Sequence, residues 1–185
     1  MTKRVCPWWL GYLLASPVRR LMYDPAKILA PYVREGMTVL EPGPGMGFFT
    51  LELARLVGPS GRVVAVDVQS RMIEGLKRRA ARKGLLERVD ARLTARDSVG
   101  VTDLAGMVDF VLAFAMVHEL PAAAPFFIEV AEALRPGGSL LLAEPTGHVN
   151  AAQFEGELQA AAQAGFELAD RPSIRRSRAA LLKKV

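Results

Sequence analysis

Short apolar runs alternate with longer amphipathic stretches along most of this chain. Thr38–Glu41 predicts a first strand and Phe49–Val57 a helix, closed by Gly58-Pro59-Ser60-Gly61. Arg62–Val68 predicts a second strand, β-branched and apolar in its middle. Ser70 is placed to cap a helix running to about Gly84, and Arg88–Thr94 predicts a third strand. Val108–Ala115 predicts a fourth strand, Ala122–Leu134 a helix, Pro136-Gly137-Gly138 a turn and Ser139–Ala143 a fifth strand. Ala151–Ala164 is helical in pattern and stopped by Gly165. Phe166–Asp170 and Arg178–Lys184 are two last strands. Strands that read as continuous apolar runs are buried on both faces, which requires a mostly parallel sheet with helices on either side. The expectation is an α/β fold with a doubly wound, seven-stranded, mostly parallel sheet. The short link between the final two strands makes a hairpin, so the last strand is expected to run antiparallel to the others.

Composition narrows the class. With 185 residues, 51% of them hydrophobic and 23% charged, the chain suits one globular core and is too apolar to be disordered. No apolar run reaches the ~18 residues of a transmembrane helix. Cys6 is the only cysteine, which excludes an intrachain disulfide and fits a reducing compartment. Lys3 and Arg4 before Val5–Ala15 imitate a signal peptide. Pro7 and Gly11 interrupt that stretch and no small-residue cleavage pattern follows, so a cytoplasmic protein is expected. The net charge of +5 gathers at Lys77, Arg78, Arg79, Arg82 and Lys83, and again from Arg171 to Lys184. Neither cluster is interleaved with aromatic residues, so solvated surfaces are expected and no nucleic-acid partner.

The densest chemical signal is Glu41-Pro42-Gly43-Pro44-Gly45-Met46-Gly47, placed between a strand and a helix. Glycines there turn the chain sharply and let a ligand approach the backbone, and the helix start offers free N–H groups. A dinucleotide fingerprint starting at Gly43 would need glycine at position 48. That position is Phe48, and the glycine falls one place early. Asp67 ends the second strand, where a carboxylate accepts from the two hydroxyls of a ribose. A tight turn alone, or a strand-end Asp alone, would be unremarkable. Together, on a strand–helix–strand pattern, they point to a nucleoside.

These segments resemble those of the class I S-adenosylmethionine (SAM)-dependent methyltransferases, in the broad group that includes the quinone-biosynthesis enzymes. Val39–Gly47 is similar to the family's first motif and Val64–Asp67 to its second. Ala95-Arg96-Asp97-Ser98 resembles the adenine loop, Asp109–Phe114 the fourth strand, and Leu134–Gly138 the turn before the fifth. The resemblance implies a SAM-binding domain over residues 24–185, preceded by an extension over residues 1–23. It implies that Glu41 and the backbone of Gly43, Pro44, Gly45 and Gly47 hold the methionyl part. Asp67 would hold the ribose, with Val68 and Gln69 beside the adenine, Asp97 and Ser98 at its amino group, and Ala113 near the cofactor's amino group. The product would be S-adenosylhomocysteine. Since the sulfonium already activates the methyl group, the protein has chiefly to align a nucleophile and exclude water.

The acceptor is expected at the carboxyl ends of the fourth and fifth strands. His118 follows one and His148 the other. Each has two readings: a base for an acceptor hydroxyl or thiol, or a side chain that merely caps a helix or packs. Joining them with Glu144 or Glu119 as a metal site lacks tight ligand spacing, and no metal is expected. Trp8, Trp9 and Tyr12 are candidates for a lid over the acceptor; a membrane-surface contact, with Arg19 and Arg20 nearby, and plain core packing are the alternatives. A small-molecule acceptor is the leading expectation. RNA or protein methylation is weakened by Ala113-Phe114-Ala115-Met116, where an Asn-Pro-Pro-Tyr type motif would stand. A SAM-binding non-enzyme would keep Glu41 and Asp67 and lack an acceptor pocket.

Overall fold

The structure, a computed structural model, describes Ser16, Arg19, residues 22–96 and residues 98–185. Trp8, Trp9, Tyr12 and Asp97 lie outside the described residues. The strands form one seven-stranded, mostly parallel sheet, as the hydrophobic pattern predicts; its order from edge to edge is Val89–Leu93, Arg62–Asp67, Thr38–Pro42, Val108–Phe114, Leu134–Pro145, Ser177–Lys184 and Phe166–Asp170. The chain divides into two compact units, one ending at Thr94 and the other spanning Ala95–Val185.

The first unit contains α1 (Pro25–Leu29), β1 (Thr38–Pro42), α2 (Thr50–Leu56), β2 (Arg62–Asp67), α3 (Ser70–Arg82) and β3 (Val89–Leu93). Asp24 caps α1 by accepting from the N–H groups of Ala26 and Lys27. β1 and β3 both pair with β2 in parallel, Leu40 opposite Val64 and Val64 opposite Asp90. Beyond Arg62, every residue of β2 is buried, as a central parallel strand demands. Ser70 does not cap α3. Gln69 is the N-cap residue, and Asp67 Oδ1 accepts from the Gln69 N–H at 2.9 Å. No side chain caps this helix: Ser70 is already helical, and the Asp67 carboxylate braces the turn ahead of it rather than a first-turn N–H.

The second unit contains β4 (Val108–Phe114), α4 (Ala123–Ala133), β5 (Leu134–Pro145), α5 (Ala151–Gln163), β6 (Phe166–Asp170) and β7 (Ser177–Lys184). β4 and β5 are parallel, while β7 runs antiparallel to both β5 and β6, so the terminal hairpin forms as expected. The fifth strand begins earlier than Ser139. Val108 pairs with Leu134 and Phe110 with Ser139, so Arg135–Gly138 bulge out of the ladder. The Pro136-Gly137-Gly138 turn survives as that bulge. A reciprocal capping box between Asn150 and Gln153 starts α5. Phe127 of α4 meets the Phe166 ring edge-on in the core.

Candidate functional site

In the first unit, the glycine-rich turn leaves β1 at a buried carboxylate. Gly43, Gly45 and Gly47 all have positive φ, at 69°, 55° and 84°. A Cβ at Gly47 would collide with Leu76 Cδ1, whereas at Gly45 it would meet nothing within 4 Å. Gly47 therefore lets the turn pack on α3, and the backbone at Gly45 faces open space. Arg79 of α3 holds the turn by donating to the Met46 carbonyl.

Glu41 is 4% exposed, and its Oε2 is buried without a hydrogen-bond partner. Burial raises its pKa to about 7; the Thr50 hydroxyl and the charge of Arg19 oppose the shift, and the charge of Asp67 adds to it. Thr50 Oγ1 is near enough to favour the ionised form, yet neither it nor Glu41 Oε2 completes a hydrogen bond. Asp67, also buried, ends β2, and its main-chain carbonyl accepts from Thr94. Val68 and Gln69 follow it, half-buried. The Arg19 guanidinium lies 4.6 Å from the centre of the Phe48 ring.

In the second unit, Glu144 near the end of β5 is completely buried. Its Oε1 accepts from the backbone N–H groups of Met116 at 3.2 Å and Val117 at 2.8 Å. Its Oε2 pairs with Nδ1 of His118, which sits in the single 3-10 turn Val117–Glu119. Ala115, just before, has φ 57°, a strained value for a residue with a side chain. That strain turns the chain so that consecutive N–H groups aim at the carboxylate. The hydrogen bond to Glu144 raises the His118 pKa above the ordinary value. Burial opposes it, and the charges of Glu144, Glu119 and Glu157 add to it. His118 Nε2 lies 3.2 Å from Nδ1 of His148. The loop carrying His148 is pinned to the β6–β7 hairpin, where Thr146 N–H donates to Arg176 and Arg178 Nε to Val149.

Ala113 is a buried interior residue of β4, paired with Leu142. The Ser98 hydroxyl donates to Glu129, which also accepts from the N–H groups of Val99 and Gly100. Among the described residues, no three His, Cys, Asp or Glu side chains are grouped to hold a metal ion. The sequence points to both histidines without pairing them to Glu144 as a base, to Arg19 only for a membrane-surface contact, and not at all to Thr50 or Glu129. A signal for Glu144 was present: like Glu41 and Asp67, it is a lone acid ending an apolar strand.

The chain belongs to the methyltransferase-domain family, which it matches over residues 33–174. It is similar to a nocamycin O-methyltransferase of Saccharothrix syringae, 34% identical over 73% of this chain and 45% of that protein. It is also similar to a ribosomal protein L11 methyltransferase of Pelotomaculum thermopropionicum, 35% identical over 62% of this chain and 34% of that one. In three dimensions it resembles a SAM-dependent methyltransferase from Aquifex aeolicus with a TM-score of 0.85, 24% identity, and coverage of 97% of this chain and 98% of that one. The chain spans between 30% and 48% of the length of the curated relatives it matches. The first unit fits the family's cofactor: Glu41 Oε2 awaits a donor, and the backbone at Gly45 is open to a ligand. No described helix is long and apolar enough to cross a membrane.

Proposed function

We propose that this chain transfers the methyl group of SAM to a small-molecule acceptor by in-line displacement. The observation that carries the reading is the Glu144–His118–His148 chain of contacts beyond β4 and β5. A buried carboxylate that orients an imidazole equips a site to take a proton from a bound nucleophile. When bound, the cofactor supplies an electrophilic methyl group on a sulfonium. Glu41 accepts from the cofactor's ammonium, the Gly43–Gly47 backbone leaves room for the methionyl part, and Asp67 accepts from the ribose. Val68, Gln69, Asp97, Ser98 and Ala113 complete the cofactor's surroundings. Residues 1–23, with Trp8, Trp9 and Tyr12, cover the acceptor and exclude water.

Several relatives carry names that specify small acceptors, among them an arsenite methyltransferase and a ubiquinone biosynthesis O-methyltransferase. A second reading, methylation of a protein, draws on the L11 methyltransferase likeness. The test is release of S-adenosylhomocysteine from SAM with a panel of phenols, quinols, thiols and metalloids, run beside methyl labelling of whole ribosomes. Turnover with one small class and unlabelled ribosomes supports the proposal. Labelled ribosomal protein with no small-molecule turnover overturns it.

A further inference from the structure

This inference rests on the methyl-transfer reading and assigns direction to its proton chemistry. Three donors converge on Glu144: two backbone N–H groups on Oε1 and the His118 ring on Oε2. A carboxylate accepts only, so His118 carries its proton on Nδ1 and, when neutral, presents a bare Nε2. The neighbour of that bare nitrogen is His148 Nδ1, at 3.2 Å. For the contact to be a hydrogen bond, His148 Nδ1 donates. His148 Nε2 is then the one imidazole nitrogen of the pair whose lone pair is not engaged, and it lies on the more exposed ring.

We propose that Glu144, His118 and His148 form a directional proton relay whose working base is His148 Nε2, built for an acceptor with a weakly acidic phenolic or enolic hydroxyl. The acceptor O–H bond breaks as its proton joins His148 Nε2, and the oxygen keeps the electron pair. The His148 Nδ1–H bond breaks in turn, and that proton joins His118 Nε2. His148 ends neutral with its proton on Nε2, and His118 ends as an imidazolium beside the buried Glu144 carboxylate. The positive charge thus rests where it is paired rather than on the exposed ring, and the upward shift of the His118 pKa agrees with that direction. Glu119 and Glu157 add to the same field. After transfer, His118 returns its Nε2 proton to His148 Nδ1 while His148 loses its Nε2 proton to water, which restores the starting tautomers. His148 is the catalytic residue here; His118 and Glu144 are positioning residues.

The relay selects the acceptor. A thiol, with pKa near ~8.5, is partly ionised at neutral pH and gains little from a base, whereas a phenolic hydroxyl near ~10 is almost wholly protonated and gains most. A carboxylate, a tertiary amine or a thioether has no proton to give.

Two measurements on the intact chain with S-adenosylhomocysteine present test the relay. Long-range 15N–1H spectra at about pH 8 should show both rings protonated on Nδ1. In His118→Gln, His148 should revert to the ordinary mixture of tautomers; in His148→Gln, His118 should keep its Nδ1 proton. A His148 ring protonated on Nε2 in the wild type, or one indifferent to His118→Gln, overturns the relay. The second measurement is methyl transfer to substituted phenols of graded acidity. His148→Gln should lower kcat by about 10²-fold for the least acidic phenol, with KM little changed, and by a shrinking factor as the phenol becomes more acidic. An equal loss across the series, or no transfer to any phenol by protein that binds S-adenosylhomocysteine, overturns the acceptor assignment. Failure to bind S-adenosylhomocysteine at all would instead count against the methyl-transfer reading on which this inference rests.

Discussion

Glu41 and Glu144 make an instructive pair. Each is a lone carboxylate near the carboxyl end of an apolar strand, and both are withdrawn from water. Glu144 has three donors and no unmet demand. Glu41 has an oxygen with no partner, and burial raises its pKa to about 7. A satisfied buried carboxylate is part of the frame and organises its neighbours. An unsatisfied one is destabilising in the empty protein and is tolerated where a ligand supplies the missing donor. The same side chain in the same kind of place thus has opposite energetic signs, and substitutions at the two positions should diverge.

The largest effect is expected from Glu144→Ala. It strands the buried N–H of Val117, the part-buried N–H of Met116 and the His118 ring, at about 1–3 kcal/mol each, so thermal unfolding should shift down by on the order of ten degrees. Glu144→Gln keeps an acceptor for the backbone and should lose less, while the His118 pKa, measured by NMR, falls toward the ordinary histidine value.

Glu41→Gln should move stability the other way. The Glu41 pKa is raised on folding from 4.5 to about 7, so the folded state holds the extra proton in that window. Stability is then greatest below pH ~4.5 and is lost as pH rises toward about 7, by about 3 kcal/mol in all. The glutamine removes that loss. Denaturant unfolding of the empty protein should show Glu41→Gln more stable than wild type above neutral pH, with a flatter pH profile, although its affinity for SAM falls. A variant less stable than wild type above neutral pH would erase the contrast with Glu144.

If Asp67 holds the ribose as proposed, Asp67→Ala should weaken SAM binding by about 1.5–3 kcal/mol, or roughly ten- to a hundredfold by calorimetry. The smallest effect is expected from Arg19→Ala. It removes the guanidinium over Phe48 and a charge that favours ionised Glu41. Stability should fall by about 0.5–1 kcal/mol, and the pH window of Glu41 should move upward.

What the sequence made legible follows from distance along the chain. The glycine-rich turn is local: Glu41, Gly43, Gly45 and Gly47 are neighbours, and Asp67 lies one strand–helix–strand step on. The mostly parallel sheet and its antiparallel ending follow equally from local patterns of burial and loop length, whereas the strand order does not. The Glu144–His118–His148 cluster is assembled from residues 26 and 30 positions apart, Glu144 with His118 and His148 with His118. No spacing rule joins them; the parallel pairing of β4 with β5 and the strained turn at Ala115 bring them together. The bulge at Arg135–Gly138 was hidden for a related reason, since Pro136-Gly137-Gly138 reads as a turn between elements and only the cross-strand register shows the strand resuming around it. Ser70 does not cap because the helix starts one residue earlier than its hydroxyl requires, with Gln69 at the N-cap and no side-chain cap bond.

On the proposed reading, the buried carboxylate of Glu41, whose Oε2 has no partner, is held for the cofactor's cation. This role is tested most directly by titrating the protein calorimetrically with S-adenosylhomocysteine at about pH 6, in buffers of different ionisation enthalpy. With a pKa of about 7 in the empty protein, Glu41 is mostly protonated at that pH and must ionise to meet the ammonium. Wild type should release close to one proton on binding, and Glu41→Gln, which binds more weakly, should release none. Tight binding by the wild type without proton release, or equal release by both proteins, would contradict the account.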